Sequence, residues 1–309
     1  MDASLVLIQF LNGMQLGVLL FLLASGLTLT FGIMDFVNLA HGSLYMLGAF
    51  VCASFTLWTE SYLLGIVFAL PAMFIIGMLV ESVALRSLYQ RDHLDQVLAT
   101  FGLILFFNEL VQIIWPLDGI NVPVPPALDG TMALPLGIEY SMFRAMVIAV
   151  GLVVAVLLWL GVTSTRVGMQ VRAGASNRTM ATALGINISL LFSVVFGIGA
   201  MLAGLAGMLV TPILGATSGM GEQIIISTFV VIVVGGIGSI RGAFIAAVLI
   251  GLIDTLGRSF IDVLLLTVLS SNAAEAAGPA LSSMLIYLFM VIVLFVRPQG
   301  LFPPRGAGA

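Results

Sequence analysis

The chain of 309 residues contains no lysine, and all ten of its basic residues are arginine. A nucleotide-binding loop of the Walker A type requires a lysine that reaches the phosphates, so the sequence excludes such a loop here. The motif H-E-x-x-H is also absent, and Gly236-Ile-Gly238 does not complete G-x-G-x-x-G because Arg241 stands at the third glycine position. We therefore expect that the protein is not an enzyme and that it has no cofactor or metal of its own.

Cysteine and charge are also scarce. Cys52 is the single cysteine, which excludes a disulfide framework or a cysteine-based metal cluster within one chain. Charged residues make up 8% of the chain and hydrophobic residues 61%, with a mean hydropathy of +1.23. Soluble domains carry about 25% charged residues, so this composition indicates a protein of the lipid bilayer. The net charge of −4 and the lack of a basic run give no sign of nucleic acid binding.

Apolar segments long enough to cross a membrane follow one another along the chain. The first of them is too long for a signal peptide and lacks a basic start, so we expect it to remain as a spanning helix. Seven segments of this kind cover residues 5–31, 36–58, 62–82, 94–115, 141–163, 187–213 and 281–296.

A further apolar region, residues 222–258, is interrupted by glycines between Gly235 and Gly242. It is either two short spans or a re-entrant loop. Irregular backbone at membrane depth is tolerated only where protein or a water-filled cavity covers it, so we predict that the break faces inward. The expected fold is an all-α integral membrane protein, a single domain over residues 1–309 with about 8–9 transmembrane helices, some glycine-broken or re-entrant.

The arginines indicate the orientation in the membrane. Residues 116–140, in one predicted loop, contain no arginine, while Arg144 and Arg258 lie near helix ends on that same side. Loops rich in basic residues stay in the cytoplasm, so the pattern predicts an outer N-terminus and a cytoplasmic C-terminus. The seven arginines that mark the cytoplasmic side are Arg86, Arg91, Arg166, Arg172, Arg178, Arg297 and Arg305.

The longest polar interruption, residues 165–186, contains three arginines and no acidic residue. Its second half is predicted to be a short helix. Ser176 or Asn177 can cap its N-terminus, and Gly185 can end it in a left-handed turn.

This short helix carries an apolar face. Met180 and Leu184 are four residues apart and so lie on one side, with Ala181 nearby. A helix of about eight residues is marginal in water unless something packs on it. The apolar face therefore predicts a contact with another protein.

A polar patch, residues 35–43, lies between the first two spans. It is either an ordinary turn in which Asp35 or Asn38 caps the next helix, or the lining of a polar path, because polar groups at membrane depth usually face a cavity or a partner. Short sequence matches relate the patch to the glycine break, and paired interrupted segments in two halves of a transporter indicate the substrate path. On the second interpretation the path residues are Asn38, His41, Ser43, Gly236 and Ser239.

Two other patterns concern the helices themselves. Small residues recur every four positions at Gly199, Ala203 and Gly207, which predicts close packing of helix backbones. Toward the outer end of the fourth span, Asn108, Glu109 and Gln112 either face the pore or anchor that helix at the membrane surface.

Five motifs together resemble a known family. Both the motifs and their order along the chain are similar to those of the bacterial ABC importer permeases for branched-chain amino acids, and the resemblance covers nearly the whole chain. The motifs are LASGLTLTFGIMDFVNLAHGSLYMLGAF (23–50), VRAGASNRTMATALGI (171–186), FGIGAMLAGLAG (196–207), FVVIVVGGIGSIRGAF (229–244) and RPQGLF (297–302).

The resemblance implies an importer of the bacterial inner membrane in which this chain pairs with a second, homologous permease, two cytosolic ATPases and a periplasmic binding protein. Residues 176–185 are similar to the coupling helix of ABC importers, whose Glu-Ala-Ala followed by Gly is matched by Ala181 and Gly185 but not by Thr179 and Met180. ATP would be bound by the partner subunits. The implied ATPase-coupling residues are Arg178, Met180, Ala181, Leu184 and Gly185.

Other functions stay open at this point. Within the resemblance, urea or a short amide is the alternative substrate, because related permeases carry them. A secondary transporter or channel that works alone would need ion-coupling groups within the membrane, for which the sequence offers only Asp35, His41 and Glu109. The missing catalytic groupings argue against an intramembrane enzyme.

The predicted orientation can be tested with single cysteines in a Cys52→Ala background. Cysteines at Ser176 and Gln299 should resist an impermeant thiol reagent added to intact cells, because both lie on the arginine-rich side, whereas a cysteine at Thr131 should react. The measurement is gel-shift labelling before and after permeabilisation. The opposite labelling pattern would overturn the orientation.

Overall fold

The structure, a computed structural model, describes residues 3–134, 137–266 and 270–302. The described chain is mostly helical, with one antiparallel hairpin formed by β1 (Thr131–Leu134) and β2 (Ile138–Ser141). A π-helical turn, Glu81–Leu85, and a 3₁₀ turn, Arg86–Leu88, extend the third helix. The α-helices are α1 (Ala3–Met34), α2 (His41–Thr59), α3 (Tyr62–Val80), α4 (His93–Ile114), α5 (Met142–Ser164), α6 (Arg166–Ser176), α7 (Arg178–Ala183), α8 (Ile188–Leu214), α9 (Met220–Gly235), α10 (Ile240–Leu265) and α11 (Ser271–Val296).

Seven helices in the described part of the chain are long and apolar enough to cross a membrane, namely α1, α2, α3 with its extension, α4, α5, α8 and α10. Two further apolar helices are shorter, namely α9 and the Ala280–Val296 part of α11. The protein is therefore an all-α, multi-pass membrane protein, which confirms the fold class expected from the sequence.

The chain divides into two compact units. Unit 1 contains α1 up to Phe21, the hairpin with α5 up to Leu152, and the described residues from Ser227 onward. Unit 2 contains Leu22–Pro125 and Val153–Ile226.

Unit 2 is built around α8, on which α2 and α3 pack while also packing on each other. The backbones meet at glycines. A Cβ atom on Gly26 of α1 would lie 2.6 Å from the carbonyl oxygen of Gly199, and one on Gly48 of α2 would overlap the Cα of Gly204. Larger residues at these positions would force the helices apart, since real Cβ atoms do not approach other atoms this closely.

The small residues of α8 serve the packing that their spacing predicts. Gly199 lies against Gly26, Ala203 is fully buried, and a Cβ on Gly207 would overlap the carbonyl oxygen of Tyr45 in α2. In an apolar solvent, close approach of this kind replaces the hydrophobic effect as the source of helix association. The prediction of close helix packing at these residues is confirmed.

The glycine-interrupted region proves to be one short helix followed by one of spanning length, a combination that neither alternative anticipated. α9 ends at Gly235, and α10 begins at Ile240. Between them Gly236 and Gly238 adopt positive φ angles of 102° and 82°, which only glycine tolerates well.

The last carbonyls of α9 are satisfied within unit 1 by the segment that follows α11. The backbone N–H groups of Leu301 and Phe302 donate to the carbonyls of Val234 and Gly235 over 2.8 and 3.1 Å. A helix end otherwise leaves such carbonyls without intrahelical partners. The RPQGLF motif that the sequence singled out therefore closes the C-terminal end of α9.

We predict that Gly48→Ala destabilises unit 2 because the added methyl group meets the backbone of Gly204. Overpacking of this kind typically costs about 1–3 kcal/mol. Gly102→Ala in α4 is the matched control, since a Cβ there meets nothing within 4 Å. Thermal unfolding in detergent should give a lower midpoint for Gly48→Ala alone. Equal midpoints for the two variants would contradict the packing described.

Candidate functional site

The polar loop between α5 and α8 folds as two short helices rather than one. The first half of the loop forms α6, which the sequence did not predict, and the second half forms α7. The side chain of Thr165 caps α6 by accepting a hydrogen bond from the N–H of Gly168 over 3.0 Å. This threonine cap is the local signal that could have revealed α6, because Ser and Thr are favoured N-cap residues.

The α7 helix has a complete cap at each end. Asn177, one of the two candidates, is the N-cap, and its Oδ1 accepts from the N–H of Met180 over 2.9 Å. At the other end Gly185 has a φ of 86°, and the N–H groups of Gly185 and Ile186 donate to the carbonyls of Thr182 and Ala181. This pair of hydrogen bonds is a Schellman motif, in which glycine takes the left-handed position.

The side chains of this helix divide into an outer and an inner set. Met180 is 59% exposed and Leu184 is 75% exposed, whereas Ala181 is only 2% exposed. Ala181 therefore packs within the chain and holds the helix in place, while Met180 and Leu184 present apolar surface outward. Exposed apolar groups that are held by a rigid backbone are what a docking surface requires.

The side chain of Arg178 contacts two other helices of unit 2. Its Nη2 donates to the carbonyl oxygen of Ile33, in the last turn of α1, over 3.0 Å. Its guanidinium also lies over the ring of Phe192 in α8, 5.5 Å from the ring centroid. The sequence could not predict either contact, because both partners lie on other helices.

A buried carboxylate beside this region also escaped the sequence analysis. Glu81, in the π-helical turn after α3, is fully buried and forms an ion pair of 3.0 Å with Arg86. Tyr89 Oη and Ser193 Oγ donate to the same carboxylate over 2.8 and 2.6 Å. Burial, together with the hydrogen bond to Glu81, raises the pKa of Tyr89, so its hydroxyl stays protonated and keeps donating.

Three of the predicted path residues, Asn38, His41 and Ser43, lie together in unit 2 and are all buried. His41 Nε2 donates to the carbonyl oxygen of Leu23 over 3.2 Å. The Nδ1 of His41 and the Oδ1 of Asn38 have no hydrogen-bond partner among the described residues. Helix α2 begins at His41 after Ala40, and no side chain in the described chain caps it, so neither Asp35 nor Asn38 acts as the cap that the turn interpretation requires.

The other two predicted path residues, Gly236 and Ser239, lie in unit 1 at the break between α9 and α10. Ser239 Oγ accepts from the N–H of Gly242 over 3.1 Å and so caps the start of α10. Gly236 packs against Gly300 of the C-terminal segment. Both residues therefore have local roles in shaping the break.

Polar side chains also meet at the predicted outer side of unit 2. Asn108 of α4 donates to the carboxylate of Glu222 at the start of α9, and Gln112 Nε2 donates to Ser218 Oγ over 3.3 Å.

Across residues 3–134, 137–266 and 270–302, no group of three His, Cys, Asp or Glu side chains is arranged to hold a metal ion.

Comparison with known proteins supplies a family for this arrangement. The family model described as "Branched-chain amino acid transport system / permease component" matches residues 9–294. The high-affinity branched-chain amino acid transport system permease protein BraD of Pseudomonas aeruginosa is 28% identical over 307 residues, which cover 95% of this chain and 94% of BraD. The corresponding protein LivH of Escherichia coli K12 is also 28% identical, over 316 residues with the same coverage.

A third relative gives a similar result. The probable branched-chain amino acid transport permease protein LivH of Methanocaldococcus jannaschii is 27% identical over 295 residues, which cover 92% of this chain and 88% of that protein. No solved structure matches the chain.

The exposure pattern of α7 predicts the reactivity of single cysteines in a Cys52→Ala background. With the isolated chain in detergent, cysteines at Met180 and Leu184 should react with a maleimide at least about tenfold faster than one at Ala181, because a buried thiol reacts only after local opening. The measurement is the labelling rate by mass spectrometry. Similar rates at all three positions would show that α7 does not pack as described.

Proposed function

The chain belongs to the family of branched-chain amino acid transport permeases, and on that basis we propose that it is a transmembrane subunit of an ATP-driven importer of branched-chain amino acids. The family comprises transport permeases rather than enzymes. Family membership supports the transport role. The exposed apolar face of α7 supports the further proposal that a separate ATPase drives the transport.

The α7 helix is suited to dock in a cleft of a cytosolic ATPase. Met180 and Leu184 point outward from a helix that is capped at both ends and anchored by Ala181. Burying one such apolar side chain contributes roughly 1.5–3 kcal/mol. Because the helix is already formed, docking loses little of this energy to the ordering of a flexible loop.

The proposed assembly supplies what this chain lacks. With no lysine, the chain has no Walker A loop, so two cytosolic ATPase subunits would bind and hydrolyse the nucleotide. A second, homologous permease would complete the transmembrane path, and a periplasmic binding protein would deliver the solute. Family membership supports a location in the bacterial inner membrane, and the arginine pattern supports a cytoplasmic position of α6 and α7.

We assign the path to the patch at Asn38, His41 and Ser43 in unit 2, while the break at Gly236 and Ser239 in unit 1 stays a separate candidate that rests on the sequence pattern. The buried polar atoms of Asn38 and His41 that lack partners support this assignment, since such groups in a membrane usually face a cavity or a partner in some state. All three patch residues are closed to solvent in this conformation. Transport therefore requires a movement that opens the connection between α1 and α2.

Branched-chain amino acids are the favoured substrate class, because the relatives described above carry that class in their names. Urea and short amides are the alternative within related permeases. The distinguishing experiment is uptake of labelled leucine by vesicles that hold the full complex, with unlabelled isoleucine, valine or urea as competitor. Competition by urea but not by isoleucine or valine would overturn the assignment.

We predict that Leu184→Asp abolishes docking of the ATPase. The substitution replaces a buried apolar contact with a desolvated charge, which should weaken binding by at least about tenfold. Met169→Asp is the matched control, because Met169 is also exposed and lies in the same loop but in α6. The measurement is recovery of the ATPase with tagged permease, together with leucine uptake.

Both substitutions lie in a polar loop, so both variants should insert and accumulate normally. Leu184→Asp should lose the ATPase and uptake, whereas Met169→Asp should keep both. Wild-type recovery and uptake from Leu184→Asp would show that α7 is not the coupling element.

A further inference from the structure

We propose that Arg178 is a positioning residue that links movement of α7 to the connection between α1 and α2, and that it does not contact the ATPase. This inference rests on the proposed function, since it concerns how docking at α7 acts on the solute path. Its basis is a set of contacts within unit 2 that begins at the Arg178 guanidinium and ends at residues 33–41.

The first contact joins α7 to the end of α1. Arg178 Nη2 donates to the carbonyl of Ile33 over 3.0 Å, and that carbonyl belongs to the last turn of α1, which contains no basic residue of its own. The C-terminal end of a helix carries partial negative charge and carbonyls without intrahelical partners. Arg178 therefore supplies from α7 the positive charge that the end of α1 lacks.

The second contact joins α7 to a row of aromatic rings. Arg178 lies over the ring of Phe192, which meets Tyr89 edge to face at 5.5 Å between centroids. Tyr89 in turn meets Phe36 edge to face at 5.6 Å, and Phe36 is fully buried. Aromatic pairs of this geometry attract one another beyond simple apolar burial. The row thus leads from the guanidinium of Arg178 to Phe36 in the α1–α2 connection.

The two contacts enclose a strained segment. Asp35, between Ile33 and Phe36, has a φ of 51°, a left-handed conformation that is uncommon for a residue with a side chain. Such a conformation is strained and persists only where surrounding contacts impose it. The segment leads directly to Asn38 and His41, so a change in how Ile33 and Phe36 are held would move the closed path residues.

The guanidinium is chemically suited to this double task. It is planar, so one edge can donate to a carbonyl while its face lies on an aromatic ring, whereas a lysine ammonium offers a point charge without that plane. The pairing with Ile33 and Phe192 also leaves Arg178 poorly placed to serve as an ion-pair partner for the ATPase. Met180 and Leu184 remain as the docking contacts, and Arg178 acts behind them.

The test uses Arg178→Gln in the complete complex of permeases, ATPases and binding protein. Arg172→Gln is the matched control, because Arg172 lies in the same loop and also donates to a backbone carbonyl, but that carbonyl belongs to Val162 in α5. Four quantities are measured for each variant: membrane level, ATPase recovery, leucine uptake, and the stimulation of ATP hydrolysis by the loaded binding protein.

We expect Arg178→Gln to keep its membrane level and its ATPase while uptake and stimulation fall together by at least fivefold, within the range of about 5- to 150-fold that coupling between two sites typically supplies. Arg178→Lys should recover only part of both, because it restores the charge but not the stacking plane. Arg172→Gln should behave as wild type. Loss of stimulation with the ATPase still bound is a change that a purely structural role would not produce.

Two results would overturn the inference: normal uptake and stimulation in Arg178→Gln, or loss of the ATPase in parallel with uptake, which would make Arg178 a docking contact. If Arg178→Gln fails to accumulate, Phe192→Leu tests the same link, since it removes the ring beneath the guanidinium while keeping an apolar side chain. Normal coupling in Phe192→Leu would also overturn the inference. Failure of the wild-type complex to bind the ATPase or take up leucine would refute the proposed function instead.

Discussion

The close approach of helix backbones at glycine is the constraint on which unit 2 depends. In a lipid environment, apolar side chains gain nothing by leaving the solvent, so helices associate through packing and hydrogen bonds instead. Gly26 against Gly199 and Gly48 against Gly204 bring α1 and α2 onto α8 at backbone contact. This contact places the imidazole of His41 beside the carbonyl of Leu23, and it sets the position from which the α1–α2 connection must move.

Hydrogen bonds between polar side chains then stabilise the helix packing that the glycines allow. The carboxylate of Glu81 joins the end of α3 to the start of α8 through Arg86, Tyr89 and Ser193. A hydrogen bond is stronger where water is scarce, and a buried charge without partners is correspondingly costly. Tyr89 contributes its ring to the aromatic row while its hydroxyl donates to the carboxylate. The same residue therefore belongs to the carboxylate cluster and to the aromatic row that leads to Phe36.

Local features of the sequence predicted the local features of the fold. Apolar length predicted six of the seven spanning helices in the described chain, but α10 is the seventh and residues 281–296 lie in the shorter apolar part of α11. Asn177 and Gly185 predicted both ends of α7, and four-residue spacing of small side chains predicted the packing face of α8. What escaped prediction depends on residues far apart in the chain. The carbonyl of Ile33 and the ring of Phe192 meet Arg178 only through the tertiary fold, and Glu81 gave no sign of its partner Ser193. The break between α9 and α10 was located by its glycines, but glycine content could not decide how long the helix on each side would be.

The closure of α9 by the segment after α11 has a consequence for the order in which the protein is made. The carbonyls of Val234 and Gly235 receive their partners from Leu301 and Phe302, which the ribosome adds only after α10 and α11. During synthesis, α9 is therefore made before the groups that satisfy its last carbonyls exist. Unit 1 can reach its final form only when translation has passed Phe302, whereas every residue of unit 2 has been made by Ile226. The helices around the α1–α2 connection can thus be assembled before α10 and α11 have been synthesised.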